Sequence, residues 1–173
     1  MAGTTTKGLR YPTAGDNPAV HTDFLNLATD VDTELNDYAL LTAWTTYTPT
    51  FTNFTLGNGT ITKARYSQVG KVVFLNVVVT LGSTSSVSGL IRFTTPTTIV
   101  NSSTNDSGGG LITDASASTS FTAITSVTSS TTLGVYAENS AGTYSVRTDT
   151  SSLIPMTWAT GDVWSSNFIY ETA

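Results

Sequence analysis

The chain reads as mainly β, an antiparallel sandwich of jelly-roll type preceded by an extended arm and one amphipathic helix. Three observations predict this. Thr and Ser supply 36 and 20 of the 173 residues, and Thr favours pleated, half-exposed strand positions. From about Trp44 onward the apolar pattern has a period of two, with turn signals at roughly ten-residue spacing. Before that point a single segment has helical periodicity and carries six of the twelve acidic residues.

Residues 1–15 come first, punctuated by Gly3, Gly8, Pro12 and Gly15, with Lys7 and Arg10 as their only charges. Such a stretch orders against a partner rather than around a core of its own. Lys7, Leu9, Arg10, Tyr11 and Pro12 are its candidate contact residues. Residues 16–43 follow as helix and connector. Asp16 or Asn17 can cap the helix, with Pro18 near its first position, where the missing N–H costs nothing. Val20, Phe24, Leu27, Val31, Leu35 and Tyr38 recur in steps of three and four, which draws one apolar stripe along five to six turns. The acids lie largely off that stripe. One stripe on one helix has nothing to bury itself against within its own segment.

Residues 44–173 form the expected sandwich. Strands are predicted at 46–51, 60–68, 71–81, 88–95, 109–115, 119–127, 132–138, 143–148 and 163–171. Gly57-Asn58-Gly59, Gly70, Gly82-Ser83, the 105–110 loop, 139–142 and Gly161-Asp162 mark the turns between them. In the strand Lys71–Leu81, Val73, Leu75, Val77, Val79 and Leu81 share one face. The other face carries Val72, Phe74, Asn76, Val78 and Thr80. A strand with one wet face alternates more cleanly, so this strand is expected to be covered on both sides. The cover is either another part of the same chain or a second copy, and in the second case Phe74, Asn76 and Val78 would lie in an interface, with Asn76 needing a partner there.

Chemistry-bearing constellations are sparse. The chain has one histidine, His21, and no cysteine, so thiolate sites and disulfides are excluded. Asp30-x-Asp32-x-Glu34 has the beginning of a calcium loop, but Leu35 stands where such a loop needs glycine and Leu41 where it needs glutamate. Gly108-Gly109-Gly110 leads into a strand, not into a helix start that would hold phosphate. Asp106, Asp114, Glu138, Asp149, Asp162 and Glu171 are scattered, with no spacing that pairs two of them. No catalytic residue, metal site or cofactor is therefore expected. A net charge of −5 argues against nucleic acid. No run is long and apolar enough for membrane insertion, and the first residues lack the apolar core of a secretory signal. Tyr136, Tyr144 and Trp164 are candidate glycan contacts, against the alternative that these aromatics fill the core.

Several segments together resemble the small virion-surface proteins of tailed bacteriophages, often called minor tail proteins in phages of actinobacteria. They are Gly8-Leu-Arg-Tyr-Pro12, Asp16-Asn-Pro18, Asp23-Phe-Leu-Asn-Leu-Ala-Thr-Asp-Val-Asp32, Tyr47-Thr-Pro-Thr-Phe51, Gly57-Asn-Gly-Thr-Ile61, Arg65-Tyr-Ser-Gln-Val-Gly-Lys71, Thr157-Trp-Ala-Thr-Gly-Asp162 and Tyr170-Glu171. The order of these segments carries the resemblance, and residues 100–150 add nothing to it. It implies a homotrimer on the virion surface: a fibre, spike or head decoration without enzymatic activity. Residues 1–15 would dock onto capsid or tail proteins, and the β domain would point outward, toward host surface glycan. Three copies around an axis would also bury the helical stripe, so Phe24, Leu27, Val31, Leu35 and Tyr38 join the expected subunit interface; the alternative is a helix docked on its own β domain. A different functional class, a free carbohydrate-binding module or glycan depolymerase domain, would need a cleft lined by aromatics or paired carboxylates.

Overall fold

The computed structural model describes residues 3–4, 10–11, 20–40, 43–100 and 107–172. The chain divides into two compact units, Met1–Ala43 and Trp44–Ala173.

In the first unit, β1 (Gly3–Thr4) pairs antiparallel with β2 (Arg10–Tyr11), so the arm folds back on itself at this point. The helix α1 spans Val20–Leu40. Thr29 and Thr33 turn their hydroxyls back onto the carbonyls of Leu25 and Thr29, four residues earlier, which satisfies a polar group that would otherwise compete with the helix ladder. The capping residues expected at 16–18, and Pro12, lie outside the described residues.

The second unit is the antiparallel sandwich. Its strands are β3 (Thr45–Thr46), β4 (Phe51–Thr55), β5 (Thr60–Val69), β6 (Val72–Thr80), β7 (Ser86–Thr94), β8 (Ser107–Asp114), β9 (Thr119–Ser129), β10 (Thr132–Asn139), β11 (Val146–Asp149) and β12 (Val163–Glu171). They form one sheet in the order β3-β5-β6-β12-β8-β9-β10-β7-β4, with β11 beside the second half of β10. The sheet curls over itself. Trp164 on β12 meets Phe93 on β7, and Phe51 and Phe54 on β4, with ring centroids 5.6, 5.9 and 5.8 Å away. Those strands are four and five places along the sheet, so only a curled sheet brings them together. The core between the layers is Val73, Leu75, Val77, Val79, Ile91, Phe93, Ile112, Val127, Leu133, Val135 and Trp164, all buried.

The expected single strand at 46–51 is instead two strands joined by a crossing. Tyr47 donates its N–H to Ala64 at 3.0 Å, on the β5 side. Three residues later Thr50 exchanges bonds with Thr94 on β7, at 3.0 Å through its carbonyl and 2.9 Å through its N–H. The segment Thr45–Thr55 thus belongs to both ends of the sheet. Pro49 lies buried between the two attachments, at a place where no ladder N–H is required. In β4 the register shifts between Thr52 and Phe54. Asn53 adopts a left-handed φ of 59° there, and its amide reaches the carbonyl of Leu90 at 3.1 Å. The bulge turns Phe51 and Phe54, three apart, onto the same inward face, where their rings meet edge to face at 5.1 Å.

The three glycines of residues 108–110 lie in β8. A Cβ on Gly108 would come within 2.3 Å of the Asn167 carbonyl, and one on Gly110 within 2.0 Å of that of Ser165. Gly108 and Gly110 thus allow the close approach of β8 to β12.

Candidate functional site

The described residues offer two surfaces on the β unit. The first is the outer face of β5, β6, β12 and β8. Antiparallel pairing sets Val72 opposite Val69 and Glu171, Phe74 opposite Ser67 and Ile169, Asn76 opposite Arg65 and Asn167, and Val78 opposite Lys63 and Ser165. Because the odd residues of β6 point into the core, these even ones point away from it. Val69, Val72, Phe74, Leu111, Trp44 and Ile169 are all exposed, Ile169 to 62%. A groove of ≈ 380 Å³ runs between Trp44, Phe74, Asn76, Gly109, Asn167 and Ile169. The open space over Gly109, where an added Cβ would touch nothing within 4 Å, deepens it.

The two amides of this face are paired within the chain. Asn76 Nδ2 donates to Asn167 Oδ1 at 2.7 Å, so the partner expected for Asn76 across an interface is supplied by its own sheet. The Arg65 guanidinium lies 4.5 Å from the centre of the Trp44 ring, and such stacking covers the charge with an aromatic face.

The second surface is a groove of ≈ 440 Å³ at the open end of the sandwich, floored by Phe121, Ala137 and Thr148 and walled by Glu138, Asn139, Ile154 and Pro155. A lobe of ≈ 370 Å³ adjoins it, sharing Phe121, Glu138 and Ser140 and adding Ser120, Thr122 and Ser145. Strand β12 starts at this end of the sheet and finishes at the opposite end. Near that opposite end Thr45 pairs with Tyr66, so the chain enters the β unit away from the groove.

Two of the three aromatics read as glycan contacts are not free to serve. Trp164 is 0% exposed and forms the centre of the core, so the core alternative holds for it. Tyr136 is 8% exposed and lies beneath the Arg147 guanidinium, 4.2 Å from its ring centre. Tyr144 is 81% exposed in the loop beside the groove. On the helix, Phe24, Leu27, Val31 and Leu35 are exposed, Phe24 to 68%. The side chain of Tyr38 lies outside the described residues, as do Lys7, Leu9 and Pro12. Arg10 and Tyr11 are placed as the two residues of β2.

Two described carboxylates are each engaged locally. Asp162 is buried and accepts N–H bonds from Ala115 at 3.0 Å and Ala159 at 2.6 Å, tying the β8–β9 turn to the start of β12. Asp114 accepts from the Ala117 N–H at 2.9 Å and the Ser116 hydroxyl at 2.7 Å. The Ala117 bond, with the Ser116 bond after it, holds its carboxyl below the usual range. Among the described residues no cluster of three or more His, Asp or Glu is placed to hold a metal ion. Asn58 is engaged with Thr84 and Ser83 across the Gly57–Gly59 turn.

Against protein-family models, curated proteins and solved structures, the chain gives no match.

Residues that sequence reasoning passed over are Trp44, Val69, Leu111 and Ile169 on the apolar face, and Phe121 and Glu138 in the groove. Ile169 had a visible signal. It breaks the inward alternation of Trp164, Ser166, Phe168 and Tyr170 with an apolar residue on the outward side.

Proposed function

We propose that this chain is a non-enzymatic structural protein of a tailed-phage virion surface. In this reading it is a homotrimer, held to capsid or tail proteins through residues 1–15, with its β unit directed outward. The order of N-terminal and β-region segments described above supports the family. The observation that carries the assembly is the apolar outer face of β5, β6, β12 and β8. Six large apolar side chains stand exposed on one contiguous face, and patches of this kind mark contact surfaces. Burying each of the partly exposed ones is worth roughly 1–2 kcal/mol, enough in sum to hold copies together. The exposed stripe of α1 adds a second face of the same character.

Sedimentation equilibrium of the full chain tests the assembly, with a mass three times that of the chain expected. A clean monomer at micromolar concentration overturns it. Removal of residues 1–15 should abolish incorporation into particles while the β unit stays folded; incorporation of the shortened protein would refute the docking role.

A further inference from the structure

A ring of three copies closes only through a heterologous contact, in which two different patches of the chain meet. A patch that matches itself pairs two copies and stops there. The exposed apolar face of β5, β6, β12 and β8 is poorly matched to itself. Lys63 and Arg65 on β5 and Glu171 on β12 stand on it, with Lys71 at the turn between β5 and β6. Three cations less one carboxylate leave it at +2, on a chain whose net charge is −5. Arg65 rests its guanidinium on the Trp44 ring, and its Nε has no hydrogen-bond partner among the described residues. Two such faces set against each other would bring like charges together, which disfavours the pairing.

The helix α1 has the opposite charge and the same apolar character. Val20–Leu40 holds five acids, Asp23, Asp30, Asp32, Glu34 and Asp37, and no Lys or Arg. Phe24, Leu27, Val31 and Leu35 are exposed along one stripe. At about 100° per residue, Asp32 and Glu34 fall on opposite flanks of that stripe, and both are exposed. The lengths also agree. Phe24 to Leu35 covers about 17 Å of helix, and Val72 to Val78 about 20 Å of strand.

We infer that α1 of one copy docks on the outer face of β5, β6, β12 and β8 of the next copy. Its apolar stripe covers Trp44, Phe74 and Ile169, and Asp32 and Glu34 meet Lys63 and Arg65. Each copy then gives one helix and receives one, and the ring closes at three. The inference rests on the proposed trimer and names the two surfaces that meet in it. A bundle of three helices on the axis would bury the same stripe, but it would leave the apolar face and its cations uncovered.

Complementation between two full-length variants tests it. Leu27→Asp with Val31→Asp disables the helix and keeps the face, whereas Phe74→Asp with Ile169→Asp disables the face and keeps the helix. All four side chains are exposed, so circular dichroism should be unchanged, and each variant alone should sediment as a monomer. Mixed in equal amounts, they should sediment at twice the mass of the chain, joined by the one intact helix and the one intact face. A mixture that stays monomeric overturns the inference. So does a trimer kept by the face variant alone, which would mean helix against helix, or by the helix variant alone, which would mean face against face. Lys63→Glu with Arg65→Glu should also dissociate the trimer, and adding Asp32→Lys with Glu34→Lys to the same chain should restore it. No restoration overturns the pairing of these charges. A trimeric unaltered chain without complementation refutes the docking alone, whereas a monomeric unaltered chain refutes the proposed assembly with it.

Discussion

Asn76 and Asn167 are hydrogen-bonded side chain to side chain at 2.7 Å, on the outer sheet face beside Phe74, Val78 and Ile169. Their strands pair residue for residue from Val163 with Thr80 to Glu171 with Val72, and these two stand directly opposite. The bond satisfies an amide that the surrounding Phe74, Val78 and Ile169 could not. Changing Asn167 to Ala is expected to cost about 0.5–1.5 kcal/mol. A double-mutant cycle with Asn76→Ala should show coupling between the two. Additive losses in urea unfolding would mean the pair contributes no interaction of its own.

The same face makes a prediction about assembly. Phe74→Asp with Ile169→Asp places two charges where the proposed contact would exclude water, so the assembled species should fall to monomer in sedimentation. Both side chains point away from the core, so the melting temperature of the β unit should change little. Leu27→Asp with Val31→Asp is the equivalent test on α1. An unchanged oligomer after both pairs of changes would remove both faces from the interface.

Trp164 sets the stability of the sandwich. It touches three aromatic rings from β4 and β7, and Trp164→Ala should cost about 3–5 kcal/mol. The indole N–H has no acceptor among the described residues, so Trp164→Phe loses volume but also removes an unsatisfied donor, and should cost well under half as much. Chemical denaturation of the two variants gives the ratio.

Asp162 tests a buried carboxylate. Its two backbone bonds span from Ala159 to Ala115, and Asp162→Ala leaves both N–H groups without their charged acceptor. A loss of about 2–4 kcal/mol is expected, with faster hydrogen exchange at Ala115 and Ala159 as the local signature.

Alkaline pH should unfold the chain through two tyrosines. Burial, and after it the neighbouring Tyr170, pushes the Tyr47 phenol well above its ordinary value near 10. Burial also raises Tyr170, against the bonds it makes with Thr97. Both ionise more readily in the unfolded chain, so the stability they confer is complete below about pH 10 and is lost as pH rises beyond it. Tyr47→Phe should flatten this decline, and because the Tyr47 hydroxyl has no partner among the described residues, the variant should be no less stable at neutral pH. Circular dichroism from pH 8 upward follows both effects.

The fold was legible where local pattern and tertiary role agree. The stripe from Phe24 to Leu35 gave the helix, and the alternation of Val73 to Val79 gave β6 and its buried face. The region around Pro49 was harder because the bulge at Asn53 sets Phe51 and Phe54 three apart on one face, which period-two reading cannot register. Strand β4 was missed for that reason. Trp164 looked like a binding aromatic because sequence does not say which layer of a sandwich a residue faces. The outer apolar face was half visible, since β6 carried apolar residues on both sides. Its contributions from Trp44, Leu111 and Ile169 depend on strand order, in which β12 lies beside β6 and β8 beside β12. The groove could not be read at all, because it joins Phe121, Glu138 and Pro155 from separate loops and strands.

The crossing segment Thr45–Thr55 has a mechanical meaning. It is the first part of the β unit reached from the helix connector, and it is also the stave that joins the two ends of the sheet. Tension applied through the N-terminal unit is therefore delivered to the bonds of Thr45, Thr46 and Tyr47 with β5 before any other part of the sandwich. Those bonds are few, and beyond them the load meets buried Pro49 and then the longer ladder of β4 with β7. A chain pulled from its N-terminal side would yield by lifting this one stave, while the layers packed around Trp164 stay closed.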